Sequence, residues 1–100
     1  MARMRYEIIL SPEADEDYHE LKAYVRASVR DAIETHLRHE PTKTSKSRIK
    51  RLRGLSRPQF RLSVGEIRVF YDVFEGNVEV LAIVAKSEAE AWLRKVGESK

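Results

Sequence analysis

One hundred residues, 42% hydrophobic and 35% charged with four Gly and three Pro, have the balance of a single globular domain spanning residues 1–100. The chain has no Cys, which excludes a disulfide framework and every thiolate nucleophile or metal site. Met1 to Tyr6 carry two arginines but no long apolar run, so neither a signal peptide nor a membrane span is expected, and the chain reads as cytoplasmic.

The net charge of +3 is unevenly spread. Between Glu40 and Glu66 there is no acidic residue, while Lys43, Lys46, Arg48, Lys50, Arg51, Arg53, Arg57 and Arg61 all fall there; the 11 basic residues elsewhere meet 16 acidic ones. Such a concentration suggests a polyanion-binding surface, the plainer alternative being a solvated basic loop.

In chain order, Arg5 to Leu10 has the β-branched character of a strand and stops at Ser11-Pro12. Serine at the N-cap with proline in the first turn starts a helix, and Glu13, Asp15, Glu16 and Asp17 suit the positive end of its dipole. Apolar residues then recur at helical spacing through Ala14, Tyr18, Leu21, Val25, Val29, Ile33 and Leu37 to about His39. Ser28 and Asp31 resemble a capping box, so a helical pair with a break near Arg26 to Ser28 is favoured over one long helix. Pro41 ends the helical region. Arg48 to Leu55 is basic and alternates poorly, with room for a short strand.

From Gln59 the pattern sharpens. Phe60, Leu62 and Val64 alternate, Gly65-Glu66 makes a two-residue turn with glycine first, and Ile67, Val69, Tyr71 and Val73 return at period two. A second turn at Gly76-Asn77 would pair Val73 with Val80 and Tyr71 with Ala82. Ser87 to Glu90 fits a capping box for a last helix whose apolar stripe is Ala89, Trp92, Leu93 and Val96. The order predicts an α+β fold: a small, mostly antiparallel sheet with an N-terminal helical pair and a C-terminal helix.

With Gly65-Glu66 as the turn, Phe60, Leu62 and Val64 oppose Tyr71, Val69 and Ile67 on an apolar face. The other face pairs Ser63 with Arg68 and Arg61 with Phe70, which makes Arg61 and Arg68 diagonal neighbours. Two guanidinium groups held together favour a shared anion, and arginine forks match phosphate oxygens. Phe70 between them is placed to stack on a nucleobase, and aromatic groups among arginines suit RNA. The competing reading is a half-solvated face with incidental arginines.

The run Leu52-Arg53-Gly54-Leu55 followed by Phe60-Arg61-Leu62-Ser63-Val64-Gly65-Glu66-Ile67-Arg68-Val69-Phe70-Tyr71 resembles the signature of the RelE/ParE toxin superfamily, and the element order agrees along nearly the whole chain. The resemblance implies a small antiparallel sheet with two N-terminal helices and the toxin's part in a type II toxin–antitoxin system. In the RelE branch that part is metal-independent cleavage of messenger RNA on the ribosome, with no cofactor; in the ParE branch it is binding to DNA gyrase without nuclease activity. A non-catalytic RNA-binding module is a third possibility. The implied partners are a cognate antitoxin, in a possible hetero-oligomer, and the ribosome with its message.

Carried over residue by residue, Arg61 and Arg68 match basic positions that contact the scissile phosphate, and Lys86 stands where a further basic residue is expected. Lys50, Arg51, Arg53, Arg57 and Phe70 complete the expected RNA-binding set. Attack by a ribose 2′-OH needs charge stabilisation, assigned to Arg61 and Arg68, and a proton acceptor, for which Lys86 or Lys50 is the candidate. The chain departs from the family where an arginine and a tyrosine are common, having Lys86-Ser87 after the last strand and Trp92-Leu93 on the helix. Ser87 is explained by capping, and Trp92 by the apolar stripe. His36, His39 and Glu40 share a helix end, where solvation explains them better than metal binding.

Overall fold

The computed structural model describes residues 5–99; Met1 to Met4, which hold most of the N-terminal segment expected to lack a signal peptide, lie outside the described residues, as does Lys100. The elements are β1 (Glu7–Leu10), α1 (Pro12–Glu20), α2 (Ala23–Ala32) continued by a π-helical turn (Ile33–Leu37), β2 (Ile49–Arg51), β3 (Leu55–Arg57), β4 (Phe60–Val64), β5 (Ile67–Phe74), β6 (Asn77–Ala85), α3 (Lys86–Val96) and β7 (Glu98–Ser99). Five strands form one sheet in the order β1-β6-β5-β4-β2, antiparallel throughout except for β1 beside β6. A two-stranded annex joins β3 to β7. The fold is α+β, as the element order implies.

The first helix starts as its sequence dictates. Ser11 accepts the Ala14 N–H at 3.0 Å, Pro12 opens the helix, and Glu13 and Asp15 lie in its first turn. The helical break, however, falls at Leu21-Lys22 and not at Arg26 to Ser28. Ser28 is not a cap: its hydroxyl donates back to the Tyr24 carbonyl at 3.1 Å inside α2. Arg26 fixes the true break, since its guanidinium donates to the carbonyls of Leu21 at 2.8 Å and His19 at 3.3 Å, groups the end of α1 leaves without helical partners.

The β4–β5 hairpin has the register expected of a Gly65-Glu66 turn, from Phe60 opposite Tyr71 to Val64 opposite Ile67, and Gly65 takes a φ of 56°. The next hairpin is different. Glu75 and Gly76 are its loop residues, with φ of 45° and 82°, and Phe74 pairs with Asn77, so Tyr71 opposes Val80 and not Ala82. A two-residue loop with both residues in the left-handed region wants glycine second, which places Gly76 one position later in the turn than a Gly76-Asn77 loop does. An irregularity then interrupts the pairing, with Phe70 opposite Ala82 and Tyr71 opposite Val80, so Leu81 is the extra residue. It reverses the strand's parity, and Val78, Val80 and Ile83 all face the core.

That core lies between the sheet and the helical pair. Ala14, Val29, Ala32, Ile33 and Leu37 meet Ile49, Phe60, Leu62, Val69, Tyr71, Val78, Val80 and Ile83. The Tyr71 ring stacks on Phe60 at 5.5 Å, and its buried hydroxyl donates to the Pro41 carbonyl at 2.6 Å, anchoring the start of the loop that leads to β2.

Helix α3 covers β5 and β6 on the opposite face. It begins at Lys86 with Ala85 at its N-cap and no side-chain cap, so Ser87 is an exposed first-turn residue and not the cap. The Lys86 N–H is already taken by the Glu66 carbonyl at 2.7 Å, which turns the chain into the helix one residue earlier than a Ser87 cap requires.

Candidate nucleic-acid interface

On the sheet face away from the main core, strand register sets the side chains in rows. Lys50 opposes Arg61, Arg61 opposes Phe70 and Phe70 opposes Ala82; one row toward the turn, Ser63 opposes Arg68 and Arg68 opposes Val84. The Ser63 N–H donates to the Arg48 carbonyl at 2.8 Å, which sets Arg48 beside this row. The basic stretch and the hairpin therefore converge. Lys50, Arg61 and Arg68 share one face, as strand parity implies, and Arg48 borders it.

The electrostatics of this end are those of unneutralised cations. Burial first, and the Arg68 charge second, pull the Arg61 guanidinium below its ordinary value. Arg68 is clipped to its own turn, with Nη1 donating to the carbonyls of Gly65 at 2.8 Å and Ile67 at 2.9 Å, which orients the fork beside Ser63. Lys86 lies by the same turn, lining a shallow recess of about 430 Å³ with Glu66, Ala85 and Ser87. Lys50, Arg51 and Arg53 line an open cleft of about 510 Å³ along β2 and the turn that follows it.

Three of the expected contact residues are placed otherwise. Phe70 is 0% exposed and stacks on Trp92 at 4.8 Å with 12° between the rings, so α3 occupies the space a nucleobase would need. Trp92 is a packing residue, as its stripe suggested. Arg57 does not join the cationic cluster: its Nε donates to Asp72 at 2.8 Å and its Nη2 to Glu79 at 2.9 Å, so two carboxylates hold it at the other end of the face. Arg51 opposes Phe60 on the core side, with its guanidinium 5.3 Å from the Phe60 ring centre, and is turned away from Arg61.

Ser63 was not singled out as a functional residue, although its position two residues from Arg61 and opposite Arg68 was already in the hairpin parity. Its hydroxyl and the Arg61 Nε are both shut off from solvent and without a hydrogen-bond partner. Near the other border, burial and then the Arg48 charge lower the pKa of His36. Among the described residues, no group of three His, Cys, Asp or Glu side chains is arranged to hold a metal ion, and no helix is long and apolar enough to cross a membrane.

Chemically, this end of the sheet has the donor set that suits an oxyanion: among the described residues it offers several charged donors and no carboxylate on the same rows. Solved structures share the fold. The chain superposes on the free toxin RelE of E. coli with a TM-score of 0.67 and 18% identity, over 93% of this chain and 99% of that one. The RelBE2 toxin–antitoxin complex of Mycobacterium tuberculosis gives 0.63 and 23%, over 81% and 98%. The YoeB dimer of Staphylococcus aureus gives 0.59 and 18%, over 78% and 93%. No curated protein matches significantly. The family model for the ParE toxin of the type II toxin–antitoxin system parDE matches residues 8–90, so the chain belongs to that family and is a type II toxin of the RelE/ParE superfamily.

Proposed function

We propose that this toxin is a metal-independent endoribonuclease that cuts messenger RNA on the ribosome, acting as a single domain in the cytoplasm. The observation that carries this reading is the Arg61–Arg68 pair, which lies on one face with Lys50 directly across from Arg61 and, among the described residues, with no carboxylate paired to either arginine. Paired carboxylates would signal a structural role; their absence leaves the charge for a phosphodiester.

In the reaction, a ribose 2′-oxygen loses its proton to a lysine and attacks the adjacent phosphorus, a 2′,3′-cyclic phosphate forms, and the P–O5′ bond breaks with the 5′-oxygen taking a proton from solvent water. Arg61 and Arg68 stabilise the phosphorane oxygens, a contribution worth about 3 kcal/mol for each well-placed donor. Lys86, on the turn side, takes the 2′-OH proton, and Lys50 adds positive charge across from Arg61. Arg53 lies along the cleft beside Lys50, where the RNA backbone would continue. An antitoxin segment, acidic or amphipathic, covers this face in a hetero-oligomer; the RelBE2 relative was solved as a toxin–antitoxin complex.

Purified protein added to programmed ribosomes, with cuts mapped by primer extension, tests the reading. Wild type cuts the message; an Arg68→Ala variant that cuts as fast as wild type would remove Arg68 from the mechanism. A second reading is favoured by the ParE match and by a site that leaves proton transfer to a lysine: binding of DNA gyrase. Inhibition of supercoiling without any RNA cut would establish it in place of the first.

A further inference from the structure

Buried polar atoms without partners are rare, and each one asks for an explanation in a ligand, a water or a reactive role. Among the described residues three side chains have such atoms: Arg26 Nε, Arg61 Nε and Ser63 Oγ. Arg26 already spends its Nη2 on two carbonyls at the end of α1. The other two belong together. They lie two residues apart on the same face of β4, where backbone positions repeat about 7 Å along the strand, and neither atom satisfies the other, so one small ligand can serve both.

The kind of ligand follows from the donor set. A guanidinium Nε–H donates only, so what Arg61 lacks is an acceptor; the Ser63 hydroxyl is free to donate as well. The neighbours across the strands are Lys50 opposite Arg61 and Arg68 opposite Ser63, both cationic. The carboxylates on this face, Asp72 and Glu79, are held by Arg57. Among the described residues neither atom has an internal partner, and the surrounding charge selects an anion. We infer that Ser63 Oγ and Arg61 Nε are the inner donors of a site on β4 for one phosphate-class oxyanion, with Arg68 and Lys50 supplying the outer charge. The inference rests on the reading that this face engages RNA phosphate, and it assigns to Ser63 a part that the charge distribution does not give it: a binding residue that fixes where the phosphate sits.

A neutral hydroxyl at that position has a recognisable signature. Removing it relieves a buried unsatisfied group, so stability is kept or raised, whereas anion affinity falls; a purely structural serine would move both in the same direction. The side-chain Nε–H resonances of the folded full-length protein, titrated with inorganic phosphate against chloride at equal ionic strength, read this out. The Arg61 signal is expected to shift saturably, and Ser63→Ala to weaken phosphate binding about tenfold, the loss of one hydrogen bond to a charged group, without lowering the melting temperature. Ser63→Thr, which keeps the hydroxyl, should bind nearly as wild type and serves if Ser63→Ala does not fold.

An Arg61 Nε–H indifferent to phosphate, unchanged affinity in Ser63→Ala or lost affinity in Ser63→Thr would overturn the assignment, with water the partner of both atoms. The two readings fail separately. Ser63-dependent phosphate binding without RNA cleavage removes the nuclease reading alone, and RNA cleavage with Ser63-independent phosphate binding removes this one alone.

Discussion

At one end of the outer sheet face Arg57 donates to Asp72 and Glu79, while at the other end Arg61 and Arg68 stand one row apart beside Lys50 with no carboxylate partner among the described residues. Both ends draw on β5 and on the same residue type. They differ in what balances the charge. Asp72 is 9% exposed and also accepts the Gln59 N–H at 2.8 Å, so Arg57 closes a network that stabilises the fold. Arg61 is partly desolvated next to another cation, and burial first and the Arg68 charge second disfavour its charged form. Arginines that sequence composition counts alike therefore differ in their surroundings.

The largest effect should come from the unbalanced end. Arg61→Ala and Arg68→Ala are each expected to slow message cleavage on programmed ribosomes by about 100-fold, the scale of removing one charge-stabilising donor. Both variants should melt at or above the wild-type temperature, because each removes like-charge repulsion. Loss of folding in either variant would mean that the pair is structural and that the contrast with Arg57 is false.

Arg57→Ala should do the reverse. It leaves the Asp72 carboxylate without its cation, and after allowance for the half-exposed guanidinium the loss is about 1–2 kcal/mol. Denaturant titration measures this. Cleavage per folded molecule should stay at the wild-type rate; a large fall there would return Arg57 to the RNA-binding set.

The two ends also differ in how far they could be read beforehand. Period-two alternation from Phe60 to Tyr71, with a glycine-led turn, fixes every pair of that hairpin, because a one-residue slip would put Phe60, Leu62 and Val64 on the wrong face. Hence the shared face of Arg61 and Arg68 follows from the sequence alone. The β5–β6 hairpin was not legible in the same way, since Leu81 as an extra residue breaks the parity that a regular ladder assumes. The carboxylates that hold Arg57 come from β5 and β6, so its ion pairs escaped a reading made one segment at a time. Phe70 failed for a related reason: strand parity says which face a residue takes, and only the path of α3 says whether that face is covered. The α1–α2 break was missed because a side chain five residues away, Arg26, caps the carbonyl of Leu21.

Tyr71 links the core to the loop before the basic strand, and Tyr71→Phe should cost about 1–2 kcal/mol by leaving the Pro41 carbonyl unmet in the interior. Burial pushes the Tyr71 phenol well above its ordinary value. An acid raised in the folded state contributes stability that is intact below the unfolded pKa of about 10 and is lost as the pH climbs above it. Wild type should therefore weaken more steeply in alkali than Tyr71→Phe, which thermal melts above pH 10 will show. Cleavage should fall only slightly, because Ser45 also ties the loop by accepting the Arg48 N–H at 3.0 Å.

The smallest effect tests whether the basic end is felt by its neighbours as unneutralised charge. His36 is held below its ordinary value by burial first and by Arg48 second, so its charged form is disfavoured in the folded protein. A base lowered in this way contributes stability present above its unfolded pKa of about 6.5 and lost as the pH falls through the folded value. Wild type should lose melting temperature between pH 7 and pH 5 more than His36→Gln does. Removing Arg48 subtracts the smaller of the two causes, so in Arg48→Ala the His36 midpoint, followed by its ring proton resonances, should move part of the way back up. Phosphate bound at Ser63 would act in the same direction by offsetting the charge beside Arg48. A His36 midpoint indifferent to both changes would mean that the basic end is already neutralised by solvent ions, and its difference from the Arg57 end would then be one of geometry alone.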